Sequence, residues 1–150
     1  MKDIHLIVIG KYKDKNLESL EEQYLKRITG PKLKIHELKS MRENLELEAN
    51  EVLKKLNDLA PSYPILMAEN GKLRNSVDFS KWLYSLIETR SEKIVLIIGG
   101  ASGHGQKVLE LAKERLSLSP MTYPHKLARL LIVEQLYRAQ TIHTGHPYHK

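Results

Sequence analysis

Apolar residues recur along this 150-residue chain in two alternating rhythms, one suited to buried strands and one to helices. Residues 4–10 (IHLIVIG) are almost continuously apolar, as a strand covered on both faces requires; Leu17, Leu20, Tyr24 and Ile28 then share one helical stripe. KLKIHEL at 32–38 alternates like a half-buried strand. A helix is predicted from about 45 to 59, carrying Ala49, Val52, Leu53 and Leu56, with Pro61 as its stop. YPILMAENGK at 63–72 predicts a third strand running into a turn at Asn70-Gly71, and Ser76 is predicted to cap a helix that buries Phe79, Trp82, Leu83 and Leu86.

KIVLIIGGASGHG at 93–105 reads as a buried strand emptying into a glycine-rich loop, before a helix with Val108, Leu109 and Ala112; RLSLS at 115–119 is a further short strand. Strands alternating with helices of this length predict an α/β fold, a mostly parallel sheet flanked by helices, and the length fits one domain over 1–150.

The last helix, HKLARLLIVEQLYRAQTI, is apolar nearly all round: Leu127 and Leu131 on one side, Ile132 and Leu136 on another, Leu130, Val133 and Tyr137 on a third. So small a domain cannot bury every face of a terminal helix within its own chain. One face is expected on the sheet and another on a second subunit, giving a homodimer.

Composition narrows the partners. Lysine plus arginine outnumber the acids by 24 to 18, a formal charge of +6, which favours polyanionic partners. Cysteine is absent, which removes disulfides and thiolate chemistry, and no apolar run reaches the length of a membrane helix or a signal-peptide core; a cytoplasmic address and no membrane partner are expected.

The candidate chemistry collects in two places. GGASGHG lets main chain approach a ligand, yet it matches neither the dinucleotide fingerprint nor the phosphate-binding loop. The terminal TGHPYHK brings His146, Tyr148, His149 and Lys150 where chain ends usually fray, so it is expected to lie against a surface. His143, His146 and His149 are three apart, but Gly145 and Pro147 break the helix between them, and no metal is expected. His125 reads equally as a structural or a catalytic histidine. Glu134 and Arg138, four apart, are expected to pair on the helix face, and Tyr148 could be core, stacking platform or neither. On the residues alone, a non-catalytic RNA- or ribosome-binding protein and a small nucleotide-binding α/β module stand beside an enzyme.

IGGASG followed by LSLSPMTYPHKLARLLIVEQLYRAQTIHTGHPYHK resembles the ribosomal RNA large subunit methyltransferase H family, within the SPOUT class of S-adenosylmethionine-dependent enzymes. The resemblance spans the chain and is strongest from Ile94 onward, where the S-x-M-T-[YF]-P-H, E-x-L-Y-R-A and P-Y-H-K segments keep the family's order and spacing. It implies a carboxyl-terminal deep trefoil knot, a homodimer, and methylation of a pseudouridine at ring nitrogen three in large-subunit (23S) ribosomal RNA on assembled ribosomes. It also implies an S-adenosylmethionine site at Met67, Gly99, Leu118, Ser119, Pro120, Met121, Thr122 and Tyr123. His149, Tyr148 and Arg138 would act on the base, with the tail folded over the cofactor cradle. Two departures stand out: MAENGK replaces the family's LDxxGK, putting Met67 at the leucine and Ala68 at the acid, and Ala101-Ser102 with His104 fill the glycine loop where bulkier or acidic residues are frequent.

Overall fold

The computed structural model describes residues 2–150. Five strands and five helices alternate: β1 (Ile4–Ile9), α1 (Lys15–Leu25), β2 (Leu33–Leu38), α2 (Leu45–Asp58), β3 (Ser62–Leu73), α3 (Ser76–Thr89), β4 (Lys93–Ile98), α4 (Gln106–Leu111), β5 (Glu114–Ser117) and α5 (His125–Thr144). The strands form one sheet in the order β2-β1-β4-β3-β5, every pair parallel. All carboxyl ends of the strands therefore share one edge.

The period-two alternation of each strand divides the core between the two faces of the sheet. Leu6, Val8, Ile65, Leu96 and Ile98 pack on the side of α1, α3 and α5; Ile7, Ile9, Leu66, Val95 and Ile97 pack on the side of α2 and α4. Ile132, Val133, Leu136 and Tyr137 join α5 to the first of these layers. Leu127 and Leu131 remain 42% and 38% exposed, an uncovered apolar face on that helix.

Several local expectations need correction. Asn70-Gly71 makes no turn: β3 continues to Leu73, and Met67 and Lys72 both pair with Leu116, so the four residues between them loop out of the ladder. Gly71 is needed for closeness, because a Cβ there would lie 2.7 Å from main-chain atoms of Arg115 and Leu116. The cap of α3 is Asn75, whose side chain accepts from the Asp78 N–H; Ser76 instead donates its hydroxyl to Gln135 on α5. Ala112 lies just past α4, and Leu118 and Ser119 lie past β5.

On α1 the buried position is Glu21 (5% exposed) rather than its neighbour Leu20 (38%). Arg129 of α5 makes this burial tolerable: its Nε and Nη2 each donate to the Glu21 carboxylate at 2.9 Å, and Nη1 donates to Glu37 at 2.7 Å. The Tyr12 hydroxyl also donates to Glu21, and the Arg129 guanidinium lies 4.1 Å from the Tyr12 ring centroid. Burial and the adjoining carboxylate raise the Tyr12 phenol well above its ordinary value, so it stays a donor.

Candidate active site

Where β3 and β4 end, a cleft of about 950 Å³ opens among three connecting segments: the bulge after Met67, the glycine loop after Ile98 and the stretch between β5 and α5. Such a position, outside the carboxyl ends of parallel strands, is where open α/β sheets bind ligands. The bulge contributes Met67, Ala68, Glu69 and Asn70. The glycine loop contributes residues 99 to 104, and the third segment Leu118, Ser119, Met121, Thr122 and Tyr123, with His125 and Ala128 at the start of α5.

Local geometry shapes two of these segments for identifiable reasons. A Cβ on Gly99 would sit 2.4 Å from the Gly103 carbonyl oxygen, so only glycine permits the loop to fold back on itself. Gly103, at φ +91°, closes that turn by donating its N–H to the Gly100 carbonyl at 3.0 Å. In the third segment the buried Ser117 hydroxyl donates to the Ser119 carbonyl (2.9 Å) and accepts from the Ser119 N–H (3.2 Å), while the Ser119 hydroxyl accepts from the Met121 N–H (3.0 Å). These local bonds fix the backbone before any ligand arrives.

One side chain crosses the cleft. His104 Nε2 lies 2.8 Å from the Met67 carbonyl oxygen, and a carbonyl can only accept, so Nε2 carries the proton. Burial lowers the His104 pKa, against the opposing effect of that bond, and the ring stays neutral near pH 7. The glycine loop is thus tied to the last regular residue of β3. In the sequence His104 stands out only as a departure from the family; its signal was a lone imidazole amid small residues.

Of the residues expected to hold a cofactor, Met67, Gly99, Leu118, Ser119, Met121, Thr122 and Tyr123 line this one cleft, and Pro120 is exposed beside it without forming its wall.

The three residues expected to act on the base meet elsewhere. Gly145, at φ +77°, ends α5 and turns the tail back along the helix. Arg138 donates to Glu134 through Nε (2.8 Å) and Nη2 (2.6 Å), the pairing expected from their spacing. The Tyr148 hydroxyl donates to the same Glu134 oxygen at 3.2 Å, its ring lies 4.7 Å beneath the Arg138 guanidinium, and Tyr137 packs against it edge-on at 4.8 Å. Burial, a bond with Tyr24 and the Glu134 charge push the Tyr148 pKa up to about 12. Arg138 Nη1 lies 3.0 Å from His149 Nδ1. Arginine has no acceptor, so this nitrogen offers its lone pair and the neutral ring carries its proton on Nε2.

None of residues 145–150 lines the cleft. Arg138 lies ten residues beyond Ala128 on α5, about 15 Å along the helix. The three terminal histidines also diverge: His143 stacks on Tyr84 with centroids 3.7 Å apart, His146 Nδ1 accepts from the Tyr148 N–H, and His149 meets Arg138. Among the described residues no group of three or more histidines and acids is arranged to hold a metal ion, and no helix is long and apolar enough to cross a membrane.

Comparison with known proteins agrees with this geometry. Residues 1–149 match the family described as Predicted SPOUT methyltransferase. The ribosomal RNA large subunit methyltransferase H of Synechococcus sp. (strain CC9311) is 41% identical over 145 residues, spanning 97% of this chain and 94% of that protein. The protein of the same name from Bacillus cytotoxicus (strain DSM 22905 / CIP 110041 / 391-98 / NVH 391-98) is 38% identical over 160 residues, spanning 99% of each. A solved structure of a probable methylase family protein from Haemophilus influenzae Rd KW20 shares the fold, with a TM-score of 0.57 at 14% identity over 99% of this chain and 71% of that one.

Proposed function

The chain belongs to the SPOUT methyltransferase family, and on that basis we propose that it transfers a methyl group from S-adenosylmethionine to ring nitrogen three of a pseudouridine in large-subunit (23S) ribosomal RNA, on the assembled ribosome. It is an enzyme, a methyltransferase. The observation that carries the reading is the cleft at the carboxyl edge of the sheet, where Gly99 admits no side chain and Ser117 holds Ser119 in place.

The cleft fits the cofactor on two counts. Its volume, about 950 Å³, is at the upper end of the range that small-molecule and cofactor sites occupy. Its wall combines the small residues of the glycine loop, which leave room for a ligand, with the apolar Met67, Leu118 and Met121. Met67, Gly99, Leu118, Ser119, Met121, Thr122 and Tyr123 would hold the group, with Pro120 shaping the loop from outside. When bound, S-adenosylmethionine supplies a methyl group on a sulfonium, open to in-line attack by a ring nitrogen. The threaded carboxyl segment, a deep trefoil knot, belongs to the same reading; the tight crossing of Gly71 over Arg115 and Leu116 supports it.

The tail supplies the groups for the base. Arg138, held on Glu134, orients His149 so that its Nε2–H is free to donate to a ring carbonyl, while Nδ1 becomes a proton acceptor once Arg138 releases it. Tyr148, beneath the Arg138 guanidinium, would stack on an unpaired base once Arg138 moves aside. Because no residue of the tail lines the cleft of its own chain, the working site on this reading combines one chain's cleft with the partner subunit's tail. The exposed Leu127 and Leu131 on α5 support a homodimer packed on that face, which would bring a partner's tail toward the cleft, and action on ribosomes implies a cytoplasmic address.

Incubation with ribosomes carrying or lacking the pseudouridine, with labelled S-adenosylmethionine and mapping of the methyl by mass spectrometry, tests the reading. Label on nitrogen three of the pseudouridine is expected; binding of cofactor without transfer to either ribosome would sink it.

A further inference from the structure

Two loops beside the cleft display cations on an unusual backbone. Residues 10–14 follow β1 and residues 39–44 follow β2, both at the sheet edge where the cleft opens. The non-glycine residues with positive φ among the described residues are Lys13 (54°), Arg42 (53°) and Glu43 (63°), all in these loops. Arg42 and Glu43 are the central pair of a tight turn closed by the Asn44 N–H on the Met41 carbonyl (3.0 Å), a conformation that glycine, asparagine and aspartate ordinarily occupy. Residues of this size held left-handed mark places where the fold over-determines a conformation, often for function.

The fold also anchors both loops from below. Tyr12 is 1% exposed and pinned by Glu21 and Arg129, which leaves its neighbours Lys11 and Lys13 exposed. Glu48, itself buried, accepts from the Met41 N–H (3.0 Å) and the Ser40 hydroxyl (3.4 Å), and its other oxygen lies against Gly100 of the cleft. Lys126 lies beside Gly10 and Lys11 at a small pit that shares Ile98 and His125 with the cleft. Of the two acids in the loops, Asp14 is taken up by the Asn16 and Leu17 N–H groups as the α1 cap, leaving Glu43 against four cations.

We propose that Lys11, Lys13, Lys39, Arg42 and Lys126 form a rigid cationic rim that takes the phosphodiester backbone of the RNA flanking the target base. The inference rests on the proposed function and assigns that site its means of gripping the strand. Phosphates engaged this way position a substrate without reading its sequence, and each one adds to the salt dependence of binding. The bound strand then crosses the rim as its unpaired base turns into the cleft.

The test compares the wild-type protein with Lys13→Glu, Arg42→Glu and the strain-relieving Lys13→Gly, measuring ribosome binding by sedimentation across a salt series, KM for ribosomes, cofactor Kd and Tm. Each substitution should raise ribosome Kd and KM by about tenfold and reduce the log–log salt slope by roughly 0.7 for each phosphate the protein no longer neutralises. Cofactor Kd should hold, and Lys13→Gly should melt no lower than wild type. Unchanged ribosome affinity and salt slope in both charge reversals would overturn the rim. Because binding is read separately from methyl transfer, a wild-type protein that binds ribosomes through these residues yet transfers nothing would contradict the proposed reaction and leave the rim standing.

Discussion

Arg138 donates a hydrogen bond to Nδ1 of His149 across 3.0 Å, tying the second-last residue of the chain to the middle of its longest helix. Glu134 holds the other side of the guanidinium, so Arg138 is a fixed fork between an acid and an imidazole. Substituting His149→Ala or Arg138→Ala should lower methyl transfer to ribosomes by about 100-fold or more while cofactor affinity, measured by calorimetry, stays within about twofold. Arg138→Lys should not restore activity, because a lysine cannot engage Glu134 and His149 in the same planar geometry. Normal turnover in the alanine variants would remove both residues from the mechanism.

His104 should matter to the cofactor and little to the base. Its bond to the Met67 carbonyl fixes the distance between two walls of the cleft. His104→Leu should weaken S-adenosylmethionine binding by about tenfold, the scale of one hydrogen bond, and His104→Gln should recover part of that because its amide can donate along a similar path. Titration calorimetry checks both; equal affinity in all three proteins would make the bond irrelevant to the ligand.

The buried pair of Glu21 and Arg129 predicts an asymmetry in stability. Losing either partner alone leaves a buried charge without its mate, so Glu21→Leu and Arg129→Met should each cost about 3–5 kcal/mol in urea unfolding. The double variant should be markedly more stable than the sum of the two losses predicts. Simple additivity would show that the pair is not coupled.

Acid should loosen the other end of the sheet. His5 Nδ1 and His36 Nε2 face each other at 2.9 Å, with the rings stacked at 5.2 Å. Burial lowers both pKa values, that of His36 to about 4, helped by Lys55 there and by Lys93 at His5. The unfolded chain, with histidines near their ordinary value of about 6.5, binds protons that the folded chain refuses. The pair costs the fold nothing above about pH 6.5, where both states are neutral, and destabilises it progressively as pH falls toward 4. Thermal unfolding from pH 7.5 to 4.5 should show Tm falling through that window, and His36→Gln should flatten the fall. A wild-type Tm that is level over this range would rule the pair out as a proton-linked element.

The periodic parts of the chain announced themselves. The runs around Leu6, Ile65 and Leu96 read as buried strands because sheets covered on both faces need continuous apolar sequence, and the all-round apolar character of α5 pointed to the Leu127 and Leu131 face that the chain leaves exposed. What stayed hidden depended on partners distant in sequence. Nothing local distinguishes Glu21 from an exposed glutamate, since its burial is permitted by Arg129, 108 residues away. Gly71 looked like a turn residue because the strand it crosses, β5, comes 43 residues later. The cleft residues were legible through family resemblance, and the tail's absence from the cleft wall was not, because it depends on where along α5 the tail docks.

The proposed reaction requires one protomer's cleft to be served by the partner subunit's tail, and subunit complementation decides whether it is. Gly99→Val destroys the cleft and His149→Ala destroys the tail, so each variant alone should be inactive on ribosomes. Unfolded together and refolded as an equal mixture, they should regain about a quarter of wild-type methyl transfer, since half the dimers are mixed and each of those holds one intact composite site. A mixture that refolds into mixed dimers and stays inactive would refute the shared site, because it would mean that each chain must use its own tail.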